Sequence, residues 1–141
     1  MKKVFSLRLA INATIGLLCM VLLFHMLIFL QIITYTIVWG GRLSSVKEMR
    51  VFEAISILIN VFIVLVLLLK ANYIKNNISK KFVNGIIWVF VIVFTVNTIG
   101  NLFANTNFEL YVFTPITFIL SLLCLRIVLE KSLPSEQRLA D

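Results

Sequence analysis

Four stretches of this chain stay apolar for about the length that a bilayer demands, and no other feature constrains its fold as much. An α-helix rises about 1.5 Å per residue, so roughly 20 apolar residues cross a hydrocarbon core of about 30 Å. The runs lie at 9–39, 51–69, 82–103 and 111–129. Barrel strands would instead alternate over short segments, whereas 61–69 is continuously apolar. The 141 residues are 61% apolar and 13% charged, which excludes an ordinary soluble domain, where charged residues make up about a quarter. The prediction is one domain over 1–141, an all-α integral membrane four-helix bundle.

Polar punctuation agrees with that division. Gly40-Gly41 with Ser44-Ser45 breaks the chain after the first run, Asn72, Asn76 and Asn77 after the second, and Asn101, Asn105, Thr106 and Asn107 after the third. The first run is longer than a bilayer requires, so it must tilt, begin in the interface, or unwind before Gly40-Gly41. Pro115 falls in the first turns of the fourth run, where a missing N–H costs least.

Thirteen Lys and Arg face six Asp and Glu, a formal +7. Lys2, Lys3, Arg8, Lys70, Lys75, Lys80, Lys81, Arg126, Lys131 and Arg138 fall on one side of the four runs, and Arg42, Lys47 and Arg50 on the other. The positive-inside rule then places both termini in the cytoplasm. These cations rim hydrophobic helices, where they meet anionic lipid head groups, so nucleic acid is not an expected partner. The N-terminal apolar stretch is too long for a signal peptide and no A-x-A-like cleavage site follows it, which predicts an uncleaved first helix.

A weak internal repeat is visible. Phe52-Glu53 and Phe108-Glu109 each precede a basic residue seventeen positions beyond the Glu, at Lys70 and Arg126, and Gly41-Arg42-Leu43 is echoed by Gly100-Asn101-Leu102. One reading is two tandem helical hairpins related as a parallel repeat. The other is convergence, since a carboxylate is favoured wherever a helix begins.

Intramembrane ionisable groups are costly and so are functional candidates. Glu53 and Glu109 are placed at the outer ends of their helices, and an ion pair of Glu53 with Arg50 or Arg42 at the outer rim is the leading expectation. A sharper reading notes that Glu53, Ser56 and Asn60 share one helical face, as do Asn97 and Asn101, and Thr114, Thr117 and Ser121. Together they would line a polar pocket open to the outside, with both Glu residues at its mouth; the alternative is hydrogen-bonding glue between helices. His25, the single histidine, sits about midway along the first run and is read first as structural, with proton relay as the alternative.

The chemistry the chain lacks narrows the classes further. No metal site is expected, because one His without nearby Cys or carboxylates cannot assemble three ligands, and no cofactor is implied. Cys19 and Cys124 are far apart without a C-x-x-C, unlike four-helix thiol–quinone oxidoreductases. Small multidrug exporters of similar length depend on a Glu in the first helix, which has no carboxylate here. Phosphate loops and nucleophile elbows are also missing.

The tract Val38-Trp39-Gly40-Gly41-Arg42-Leu43, followed by Arg50-Val51-Phe52-Glu53-Ala54-Ile55-Ser56 and by 101–115 with Phe108-Glu109 and Thr114-Pro115, resembles a group of small uncharacterised four-helix bacterial membrane proteins. Members share a Trp-Gly-Gly turn after the first helix and a Glu and Thr-Pro tract leading into the fourth. The resemblance implies a bacterial inner-membrane location and transfers no catalytic residue. It raises Trp39, Gly41, Arg42, Arg50, Glu53, Asn101, Glu109 and Pro115 as outer-rim candidates, with Asn60, Asn97 and His25 inside the membrane. The leading expectation is a non-enzymatic membrane protein that binds lipid, a membrane protein partner or a second copy of itself. A small transporter or ligand-binding protein with an outward polar pocket comes next, and a membrane enzyme acting on a lipid or quinone third.

Overall fold

The computed structural model describes residues 6–75 and 77–130. Lys2, Lys3, Asn76, Lys131 and Arg138 lie outside them. Among the described residues the chain is all-helical, with α1 (Leu7–Phe29), α2 (Val46–Lys70), α3 (Lys80–Leu102) and α4 (Thr114–Leu129), the last entered through a π-helical segment, Glu109–Phe113. Four helices, the fourth counted from Glu109, are long and apolar enough to cross a membrane.

The helix starts follow from their caps. Ser6 Oγ accepts the N–H of Leu9 at 3.1 Å, and Ser45 Oγ that of Glu48 at 3.2 Å. The Glu48 carboxylate reaches back to the Ser44 N–H at 2.9 Å, so donors left over at the start of α2 are satisfied from both directions.

Tyr73 Oη donates to Asn12 at 3.1 Å and Lys70 Nζ to Asn84 at 2.5 Å. These bonds bring the start of α1, the end of α2 and the start of α3 to one end of the bundle. Thr98 bonds Thr117 while Thr95 bonds Ser121, so α4 runs antiparallel to α3 and returns Arg126 to that same end. Arg8, Lys70, Lys75, Lys80, Lys81 and Arg126 therefore form one basic rim.

A seam of Leu, Ile, Val and Phe holds the middle together, with Ile11, Leu18, Ile63, Leu67, Ile87 and Leu120 almost wholly buried. Outward faces are apolar too: Met20, Leu23, Leu58, Phe82, Ile92 and Val96 each expose 60% or more of their surface. Such a continuous apolar exterior suits lipid. Helix association in lipid depends on packing and interhelical hydrogen bonds. α3 and α4 supply both, through Thr95–Ser121 at 2.8 Å, Thr98–Thr117 at 3.0 Å and Asn101–Thr117 at 3.4 Å. α2 and α3 touch least among the neighbouring helices.

The first apolar run is not one helix over 9–39. α1 ends at Phe29, and Gln31 with φ 61° turns the chain back. Residues 30–45 then fold over the end of the bundle as a cap containing two 3₁₀ turns, Tyr35–Ile37 and Trp39–Gly41. Val38 from the cap, Ile28 and Met49 make a second small core beneath it. Pro115 lies in the first turn of α4, as its position predicts, but the helical path begins before it. Helical turns already run from Asn107, and the residues just before the proline widen into the π segment, accommodating a ring that lacks an N–H.

Candidate functional site

Two carboxylates grip the cap. Glu53, two turns into α2, is completely buried; its Oε1 accepts the indole Nε1–H of Trp39 at 2.9 Å, and its Oε2 lies 2.6 Å from His25 Nδ1. Glu109, in the π segment, accepts the backbone N–H of Gly40 and the hydroxyl of Thr106 on one oxygen, Oε2, both at 2.7 Å. Thr106 carries its hydroxyl at hydrogen-bonding distance from the cap carbonyl of Ile37 as well, at 3.1 Å.

The backbone of the cap explains why it needs such anchoring. Trp39, Gly40 and Gly41 have φ of 56°, 68° and 68° in succession. Glycine adopts this left-handed conformation freely, but tryptophan does so at a cost. The turn aims the Gly40 N–H at Glu109 and the Trp39 indole at Glu53, on opposite sides. Gly41 is also packed closely: a Cβ there would lie 3.3 Å from Thr106 Cγ2 and 3.4 Å from the Thr36 carbonyl oxygen. Phe24 stacks on Phe108 with ring centres 5.4 Å apart and meets Phe113 at 5.0 Å, supporting the π segment from α1.

Beneath the cap, where α2 and α3 part, lies a cavity of about 500 Å³. Its walls are Ile55, Ile59 and Ile63 from α2 with Phe90, Val93 and Phe94 from α3. Polar groups enter from Ser56, Asn60, Asn97, Asn101 and Thr117, and the cap end brings His25, Trp39, Arg42 and Glu109. Ile55, Ile59 and Val96 on its border are 49%, 45% and 60% exposed, so the space opens sideways between α2 and α3, onto the apolar exterior.

Several expectations change here. The rim ion pair of Glu53 with Arg50 or Arg42 does not form: Glu53 points inward to His25 and Trp39, and Arg50 and Arg42 are exposed. Nor does Glu53 sit at a mouth of the pocket; it lies behind the two rings that line it. His25 is not near mid-helix. Because α1 ends at Phe29, it sits one turn from the cap end, level with Glu53. Its Nδ1 faces the carboxylate, its Nε2 has no partner among the described residues, and the ring lines the cavity.

The polar stripes divide between the two readings. Thr117 and Ser121 tie α4 to α3, Asn101 both ties and lines, and Asn60 donates to the Ser56 carbonyl oxygen of its own helix at 2.8 Å while facing the cavity. Thr114 bonds the Glu109 carbonyl oxygen at 3.3 Å inside the π turn. Asn97 lines the cavity without a protein partner among the described residues. Gly41 and Pro115 act through the backbone, shaping the cap and the π turn.

Three participants went unnoticed in the sequence: the Gly40 amide, Thr106, and the Phe24–Phe108–Phe113 cluster. The available signal was depth. Once the first helix is stopped near Phe29, His25 and Glu53 fall at similar levels and become partners. Among the described residues no group of three His, Cys, Asp or Glu converges to hold a metal ion. In comparisons with known proteins, no family model, curated protein or solved structure matches this chain.

Proposed function

We propose that the chain is a multi-pass membrane protein that binds a lipid-type amphiphile, without chemistry, in the cavity between α2 and α3. The observation that carries this reading is the side opening: an apolar-walled space of about 500 Å³ meets the apolar exterior beside Ile55, Ile59 and Val96 and has polar side chains beneath the cap. That volume falls within the usual range of ligand sites, roughly 300–1,000 Å³. An acyl chain entering between Ile59 and Val96 would lie against isoleucine and phenylalanine, with its head group at Asn97, Asn101 and Glu109. A water-soluble substrate has no comparable use for the apolar walls.

Orientation belongs to the same proposal. The basic rim faces the cytoplasm and the cap faces outward, following the positive-inside rule. The Trp-Gly-Gly resemblance points to a bacterial inner membrane. A reporter fused after the last residue, active only in the cytoplasm, checks the orientation; activity of a periplasmic reporter there overturns it.

Native mass spectrometry of the detergent-released protein tests binding. Wild type should retain about one lipid per chain through washing, and Ser56→Phe, which fills the cavity, should lose it while keeping its thermal stability within a few degrees. Equal retention by the two proteins overturns the cavity as the binding site.

A further inference from the structure

We infer that the head group this cavity accepts carries both a primary ammonium and a phosphate, so that its ligand is a zwitterionic aminophospholipid. This rests on the lipid-binding reading and adds the head-group class to it. Glu109 is only 7% exposed and lines the cavity. Its Oε2 is occupied by Gly40 and Thr106, whereas its Oε1 receives no donor among the described residues. That oxygen is open to the cavity, and among ligand donors one bearing positive charge satisfies it best. A primary ammonium offers N–H groups and charge together; a trimethylammonium has no N–H to give.

The cation for the phosphate stands beside it. Arg42 also lines the cavity, and its side chain folds over Gly40, with Nε 3.2 Å from where a Cβ of that residue would be. Gly40 is the residue whose N–H holds Glu109. Arg42 and Glu109 are thus neighbours at one end of the cavity, yet they form no ion pair. Neighbouring charges of opposite sign that do not pair with each other complement a zwitterion. Asn97 and Asn101 add amide donors for phosphate or ester oxygens. The other ionisable group lining the cavity, His25, is engaged with Glu53 behind it. A purely anionic lipid would satisfy Arg42 but set its charge beside Glu109.

The test uses the full-length protein in nanodiscs containing equal parts phosphatidylethanolamine, phosphatidylcholine and phosphatidylglycerol, with retained lipid identified by native mass spectrometry. Phosphatidylethanolamine should be enriched about tenfold over each of the others, the factor for one additional charge-assisted hydrogen bond. Stepwise N-methylation of the ethanolamine head should leave retention by wild type largely intact until the third methyl removes the last N–H. This second measurement needs no variant and is unaffected by the part Glu109 plays in holding the cap. Arg42→Gln, at an exposed position, should lower retention of all three lipids while keeping the order. Equal retention of the three lipids by wild type, with loss in Ser56→Phe, overturns the head-group assignment and leaves lipid binding standing. Absence of any retained lipid overturns both.

Discussion

Replacing Glu53 by alanine tests the centre of this structure. The carboxylate is fully buried and serves His25 Nδ1 at 2.6 Å and Trp39 Nε1 at 2.9 Å. Hydrogen bonds to charged groups contribute about 1.5–3 kcal/mol in soluble proteins, and those between membrane helices average about 0.6 kcal/mol with a maximum near 1.7. Taking about 1.5 kcal/mol for each of the two bonds gives a loss of about 3 kcal/mol for Glu53→Ala. The assay is unfolding in mixed micelles by a graded rise in the denaturing detergent fraction, in a Trp88→Phe background where Trp39 alone reports fluorescence. Emission should change in the folded state as well, because the indole loses its acceptor. A double-mutant cycle with His25→Ala should return a coupling of at least about 1 kcal/mol, as for residues in direct contact. Arg50→Ala, by contrast, should stay within about 0.5 kcal/mol of wild type, as expected for an exposed position. A large effect from Arg50→Ala together with a negligible one from Glu53→Ala would restore the rim ion pair and refute the Glu53–His25–Trp39 arrangement.

Gly41→Ala forces a side chain into left-handed backbone and against Thr106, so a loss of about 1–2 kcal/mol should appear as a lower midpoint in the same unfolding assay. Thr117→Val removes the acceptor for Thr98 and Asn101 and should cost about 0.6–2 kcal/mol by that measurement. Thr106→Val removes the one hydroxyl hydrogen within reach of both Glu109 and the Ile37 carbonyl oxygen; it should loosen the cap, read as faster hydrogen exchange at 35–42 with α1 and α2 unchanged. Of the two cysteines, Cys19 is exposed and Cys124 buried, so a membrane-permeant maleimide should label Cys19 in the folded protein and reach Cys124 only after denaturation.

The legible part of this protein was set by local chemistry. Apolar length dictates four helices, and the Gly, Ser and Asn punctuation places their breaks to within a few residues for α2 and α3. Ser45 and Ser6 cap because a hydroxyl beside free N–H groups needs no distant partner. The end of α1 was different. Residues 30–39 are as apolar as a helix, and only their fit over Ile28 and Met49 makes a cap of them. Pro115 gives the start of α4 but not the turns ahead of it, because the chain before it stays helical by widening a turn, with Phe108 and Phe113 packed on Phe24.

The candidate site shows the same division. Sequence alone determined which polar residues exist, at what spacing, and that Ser56 shares a face with Asn60 and Asn97 with Asn101, because helical periodicity is a property of one segment. Tertiary structure alone decided their partners. Whether Glu53 meets Arg50 three residues away or His25 twenty-eight residues away depends on which side of α2 is turned inward, and burial against α1 and the cap turns it toward His25. The space between α2 and α3 likewise belongs to no segment: it exists because the Thr and Ser ladder draws α4 onto α3 while α2 packs on α1, leaving two helices that are adjacent without being bound along their length.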